Sequence, residues 1–156
     1  MLPYKEGIIM DEFILQPIAA FVATLCFSLL FSVDKKQILF CGLAGGIGWL
    51  LYIIFLKYAS DGIAVFGAAL SVALMARLLA VKRKSPVTIF LIPGIIPLVP
   101  GAGIYNTMYS IVTGNNAGVS RYGYETLTFA GAIAIGIVAA LSLPEGLFGK
   151  KYKKGT

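Results

Sequence analysis

The sequence predicts an all-α membrane protein of five transmembrane helices, the fourth of them broken by a Pro/Gly motif. Three observations carry that expectation. Of the 156 residues, 58% are hydrophobic and only 13% are charged; a soluble domain of that length cannot cover so much apolar surface. The apolar residues gather into runs that approach the roughly 20 residues a bilayer crossing needs, with short charged stretches between them. One run contains LIPGIIPLVPGAGIYN, in which three prolines and three glycines stand where both flanks read as membrane span.

The elements follow in order within a single transmembrane domain over residues 1–156. The first span runs from Phe13 to Val33. The residues before it set Lys5 against Glu6, Asp11 and Glu12, which is not the basic leader of a secretory signal, and no small-residue cleavage pattern precedes Asp34-Lys35-Lys36. It is expected to be a retained helix. Ile38 to Leu56 is the second span, Gly62 to Val81 the third and Val87 to Val112 the fourth. The polar stretch from Thr113 to Thr126 reads as an outward-facing loop, and Leu127 to Leu143 as the last span. Residues 144–156 form a basic tail suited to an anionic cytoplasmic leaflet.

Lysine and arginine decide whether the fourth segment crosses or turns back, because short cytoplasmic loops accumulate positive charge. If all five segments cross, Lys35, Lys36, Lys82, Arg83, Lys84, Lys150, Lys151, Lys153 and Lys154 share one side, nine charges against the three of Lys5, Lys57 and Arg121. If the fourth turns back, the distribution is six against six. The sequence therefore predicts five crossings at a cell membrane, with the N-terminus outside and the C-terminus in the cytoplasm.

A crossing segment with this composition is broken somewhere in the hydrocarbon. Pro93, Pro97 and Pro100 each lack an amide hydrogen and clash with the preceding turn, and Gly94, Gly101 and Gly103 open conformations closed to other residues. Irregular backbone at membrane depth survives only when it is buried in protein or lines a wet cavity, as in transporter substrate sites. A half-helix starting near Gly101 would aim amide hydrogens and a positive dipole end at that cavity. Beyond it lie Tyr105, Asn106, Thr107, Tyr109 and Ser110, a polar cluster for a span, with the two tyrosines one turn apart on the same face. The bland alternative is a proline-kinked helix whose kink merely packs.

The second span holds CGLAGGIG, where Gly42 and Gly46, and Cys41 and Gly45, make small-xxx-small pairs that let helix backbones approach closely. Tight packing is the simpler reading; a moving interface is the functional one. Arg77 is the one charge inside a span: it either snorkels to the cytoplasmic interface or serves as a gating charge facing an anionic solute. No Asp or Glu is placed deep in any span. Cys26 and Cys41 read as small hydrophobes, and the chain has no histidine. No metal-ligand spacing, cofactor motif, nucleic-acid motif or acid-base pair is visible, so an enzyme is not expected.

Ile96-Pro97-Leu98-Val99-Pro100-Gly101, with Tyr105 four residues after the glycine, resembles the central motif of the threonine/serine exporter family. More narrowly, the chain resembles the short membrane subunit that corresponds to the C-terminal half of full-length exporters. The Cys41-Gly42-Leu43 and Gly45-to-Gly48 run and the Leu143-Pro144 ending agree with that likeness. The resemblance implies a larger membrane partner carrying a cytoplasmic domain, and a cargo of threonine, serine or, as in two-subunit relatives, a succinate-like C4 dicarboxylate. On this reading Pro97, Pro100 and Gly101 set the break, while Tyr105, Asn106, Thr107 and Tyr109 are the substrate-contact candidates. The competing readings are a non-transporting membrane scaffold or assembly subunit, and a small channel or holin-like pore.

Overall fold

The computed structural model describes residues 10–144, and within them every regular element is a helix, with no strand. The N-terminal residues 1–9 and the basic tail from residue 145 lie outside the described residues. Four helices are long and apolar enough to cross a membrane: α1 (Met10–Leu30), α2 (Lys35–Tyr58), α3 (Asp61–Arg83) and α6 (Asn116–Ser142). Between α3 and α6 the fourth segment is divided into α4 (Val87–Ile95), a single 3-10 turn (Ile96–Leu98) and α5 (Gly101–Val112).

The helix ends follow local rules. Asp34 caps α2, its Oδ1 accepting from the Lys36 amide at 3.1 Å. Lys84 closes α3 in the left-handed region, φ 51°, and the Ser85 amide returns to the Ala80 carbonyl at 3.1 Å, a helix stop sealed by Pro86. Gly114, φ 70°, ends α5, and Asn115 at once caps α6 through a 3.0 Å bond from the Gly118 amide to its Oδ1. This corrects the sequence expectation. The stretch Thr113–Thr126 is not a loop: the turn is three residues long, and α6 begins at Asn116, well before the expected Leu127.

α3 sits at the centre. Val65, Ala68, Ala69, Val72, Ala73 and Ala76 are all buried, and this alanine-rich surface receives α2, α6 and α4. α1 packs on α2 along the glycine face. A β-carbon at Gly45 would collide with Thr24, at Gly46 it would lie 3.0 Å from Phe21 Cβ, and at Gly42 2.7 Å from Leu25 Cδ2. Thr24 and Ser28, fully buried at that seam, return their hydroxyls to the carbonyls of Ala20 and Thr24, each at 2.7 Å. The opposite face of α1 leaves Ile14, Leu15, Ile18 and Val22 bare, as a lipid-facing helix does.

α3 and α6 run in the same direction. Thr128 lies beside Gly62 in the first turn of α3, Gly136 approaches the backbone of Phe66 and Leu70, and the Ala140 carbonyl meets Arg77 further along. The segment joining α3 to α6 must therefore return from one end of the bundle to the other. Its dimensions suffice: α4 and the 3-10 turn rise about 20 Å and α5 about 18 Å. With the 53° bend between the two halves, the net climb is about 30 Å, the thickness of a hydrocarbon core.

Candidate functional site

The break begins later than three prolines suggest. Pro93 and Gly94 are buried inside α4. Gly94 is there for close approach, since a β-carbon would lie 3.2 Å from Val72 Cγ1 and 3.4 Å from Ala44 Cβ. Pro93 supplies no amide to the Ile89 carbonyl, and Cys41 does so instead, its Sγ donating at 3.3 Å. The backbone leaves helical geometry only over Val99 and Pro100. There the Val99 amide reaches back to Ile96 at 3.0 Å, and the Gly101 amide closes onto the Val99 carbonyl at 2.7 Å. With Pro100 at φ −76°, ψ 60°, this is an inverse γ-turn. The Gly101 amide is thus taken, contrary to the picture of a free half-helix end at that residue. The Ala102 and Gly103 amides remain in the uncapped first turn of α5, where no side chain accepts from them.

Beside the break lies a cavity of about 270 Å³. One wall is the interrupted backbone from Pro97 to Gly103, continued by Asn106. Trp49 and Tyr52 of α2 and Val65 of α3 form the second. Tyr122, Glu125, Thr126 and Phe129 of α6 form the third. Trp49 and Tyr52 pack with ring centroids 5.3 Å apart, and the Trp49 indole donates to Gln16 Oε1 at 3.2 Å, which ties that wall to α1. Gly103 has no room for a side chain, because its β-carbon would strike Thr126 Oγ1, whereas Gly101 meets nothing within 4 Å.

The break is not at the middle of the bundle. Gly94 faces the midpoints of α2 and α3, but the cavity is framed by Trp49, Tyr52 and Val65, about 4–10 Å nearer the Tyr58/Asp61 end on helical rise. That end also carries Tyr58, Tyr105, Tyr109, Tyr122 and Tyr124, while Lys35, Lys36, Lys82, Arg83 and Lys84 mark the other. Tyrosines at one end and basic residues at the other suit the two interfaces of a bilayer.

Of the residues singled out from the sequence, Pro97, Pro100, Gly101 and Asn106 line the cavity. Tyr105 and Tyr109 do not; they are 67% and 59% exposed and stack on each other at 6.2 Å on the outer face of α5. Thr107 turns toward α6, its hydroxyl bonded to the Gly103 carbonyl at 2.7 Å. Arg77 is buried away from the cavity: its Nη1 donates to the carbonyls of Ala140 (2.7 Å), Leu141 (3.2 Å) and Leu143 (2.7 Å), closing the C-terminal end of α6. Gly42, Gly45 and Gly46 stand at the α1–α2 seam rather than at the cavity.

Sequence reasoning missed Tyr122, Glu125 and Thr126, because the stretch containing them was expected to be loop. Glu125 is the acidic residue on the cavity wall, paired one turn away with Arg121, Nε to Oε1 3.5 Å. The signal that finds them is in the sequence: Gly114 followed by Asn115 is a helix stop joined to a helix start.

No curated protein and no solved structure matched the chain. The profile of the family described as Threonine/Serine exporter, ThrE, matches residues 16–143, from within α1 to the end of α6 and across the whole broken segment. The likeness first carried by one Pro/Gly motif thus extends over every helix of the bundle, and the chain belongs to the threonine/serine exporter family.

Proposed function

We propose that the chain is one subunit of a secondary exporter of small carboxylate-bearing metabolites, threonine or serine or a succinate-like C4 dicarboxylate, acting with a larger membrane partner. The cavity at the interrupted fourth span is the observation that carries this reading. It is the size of a small metabolite, it abuts irregular backbone, and it lies beside a chain segment that can hinge at Val99–Pro100 without breaking a helix. The uncapped amides of Ala102 and Gly103 on its wall suit a carboxylate. In this reading the N-terminus is outside, the C-terminus is cytoplasmic, and α5 is the element whose movement alternates access. The exposed Tyr105 and Tyr109 of α5 face where a partner's helices would complete the pathway.

Gly101→Leu tests the site. The position has open space around its β-carbon, so the variant is expected to fold and reach the membrane while its side chain fills the cavity. Efflux of threonine, serine and succinate is measured from cells producing the full-length chain in its native background. Loss of efflux with normal membrane abundance is the expected result; undiminished efflux of whichever solute the wild type exports would remove the cavity from the mechanism.

A further inference from the structure

Among the cavity-lining residues there is a carboxylate and no basic side chain. Trp49, Tyr52, Tyr122 and Phe129 supply aromatic surface around it, and Glu125 is the charge. Thr128, one turn on, lies beside the first turn of α3, so Glu125 stands toward the Tyr58/Asp61 end of the bundle. Its partner Arg121 is on α6 itself and off the cavity wall, at a long 3.5 Å with both side chains about half exposed (53% for Arg121, 46% for Glu125). Such a solvated i,i+4 pair is weak, with a median near 0–1 kcal/mol, and gives way readily to a second cation. Aromatic faces and a carboxylate together are the chemistry that holds an ammonium group. They repel a second carboxylate.

We propose that Glu125 is the specificity-determining residue of the cavity: its carboxylate exchanges Arg121 for the ammonium group of the transported solute, so the site takes amine-bearing metabolites and rejects dicarboxylates. This rests on the reading of the cavity as the substrate site and narrows it. The carboxylate of such a solute is left facing the broken backbone, and Asn106, which lines the cavity beside that wall, is placed for a further polar group.

The test uses inside-out membrane vesicles from cells producing the full-length chain in its native background, with labelled threonine and labelled succinate as solutes. Threonine methyl ester, which keeps the ammonium, is expected to compete with threonine, and N-acetylthreonine, which lacks it, is not. Glu125→Gln is expected to raise the half-saturating threonine concentration at least ~10-fold, the worth of one charged hydrogen bond, with the maximal rate retained. Arg121→Gln removes the competing cation and is expected to leave that concentration unchanged or lower it. A purely structural role for the pair would move both variants the same way. Equal competition by N-acetylthreonine, or succinate uptake indifferent to Glu125→Gln, overturns the proposal, and neither needs that variant to bind threonine. Uptake insensitive to Gly101→Leu overturns the broader reading and this one with it, whereas loss on Gly101→Leu beside an unaltered Glu125→Gln overturns only the role of Glu125.

Discussion

The thiol of Cys41 donates to the carbonyl of Ile89 at 3.3 Å, and Ile89 is the residue whose helical partner would have been the amide that Pro93 lacks. A side chain on α2 therefore repairs the ladder that a proline in α4 opens. With no water in a bilayer core, an orphaned carbonyl there is costly. Cys41→Ala removes the donor and is expected to lower stability by about 1 kcal/mol, while Cys41→Ser keeps a donor in the same place and stays near wild type. Thermal unfolding of the detergent-solubilised protein distinguishes the two; equal losses in both variants would mean that the thiol contributes only packing.

The glycines of the bundle differ in what a methyl group would meet, and stability should follow that difference. At Gly136 the neighbours are backbone, Phe66 O at 2.9 Å and Leu70 N at 3.1 Å, which cannot step aside. At Gly42 the nearest atom is the end of Leu25, which can. Gly131 meets nothing within 4 Å. Gly136→Ala is expected to cost about 1–3 kcal/mol, Gly42→Ala less, and Gly131→Ala nothing, or to gain slightly from helix propensity. Melting temperatures in one detergent rank the three, and an equal effect at all positions would contradict the packing described.

Arg77 closes α6 by donating to three of its last carbonyls. All three bonds are made by one nitrogen, Nη1, from a buried position, and the ammonium of a lysine, on a side chain one bond shorter, falls short of the same carbonyls. Arg77→Met is expected to lose on the order of 2 kcal/mol or more, since the carbonyls are left without a donor, and Arg77→Lys is expected to recover only part of it. If Arg77 acted as a gating charge instead, Arg77→Lys would keep stability and export together, and the pair of measurements separates the roles.

Much of the architecture is legible in the sequence because bilayer thickness imposes length on apolar runs, and α1, α2 and α3 begin and end close to where hydropathy and the flanking charges put them. α6 escaped because the length rule sees only its apolar half. Residues 116–126 are polar and helical at once, and the evidence for the helix is in Gly114 and Asn115, not in hydropathy. That error hid Glu125 and Thr126. Pro97, Pro100, Gly101 and Asn106, singled out by helix breakers and a polar residue in an apolar run together with the exporter-family motif, line the cavity. The outward turn of Tyr105 and Tyr109 depends on how α5 rolls against α6, which is set by the contact of Gly103 with Thr126 and of Gly118 with Ser110, long-range pairs that spacing within one helix does not reveal.

The parallel course of α3 and α6 fixes the path between them. Lys84, at the C-terminal end of α3, and Asn115, at the start of α6, stand at opposite ends of the bundle, and they are expected to face opposite compartments of a membrane. In a background with Cys26 and Cys41 replaced by serine, Lys84→Cys and Asn115→Cys should react with a membrane-impermeant thiol reagent from opposite sides. Asn115→Cys is expected to label in intact cells, and Lys84→Cys only after the membrane is opened. Labelling of both from the same side would make the Pro/Gly segment a re-entrant loop. It would also require α6 to run against α3, which the approach of Gly136 to Phe66 and of Ala140 to Arg77 forbids in one rigid bundle. The experiment thus reads the broken segment through its two ends, without touching the prolines or the cavity they border.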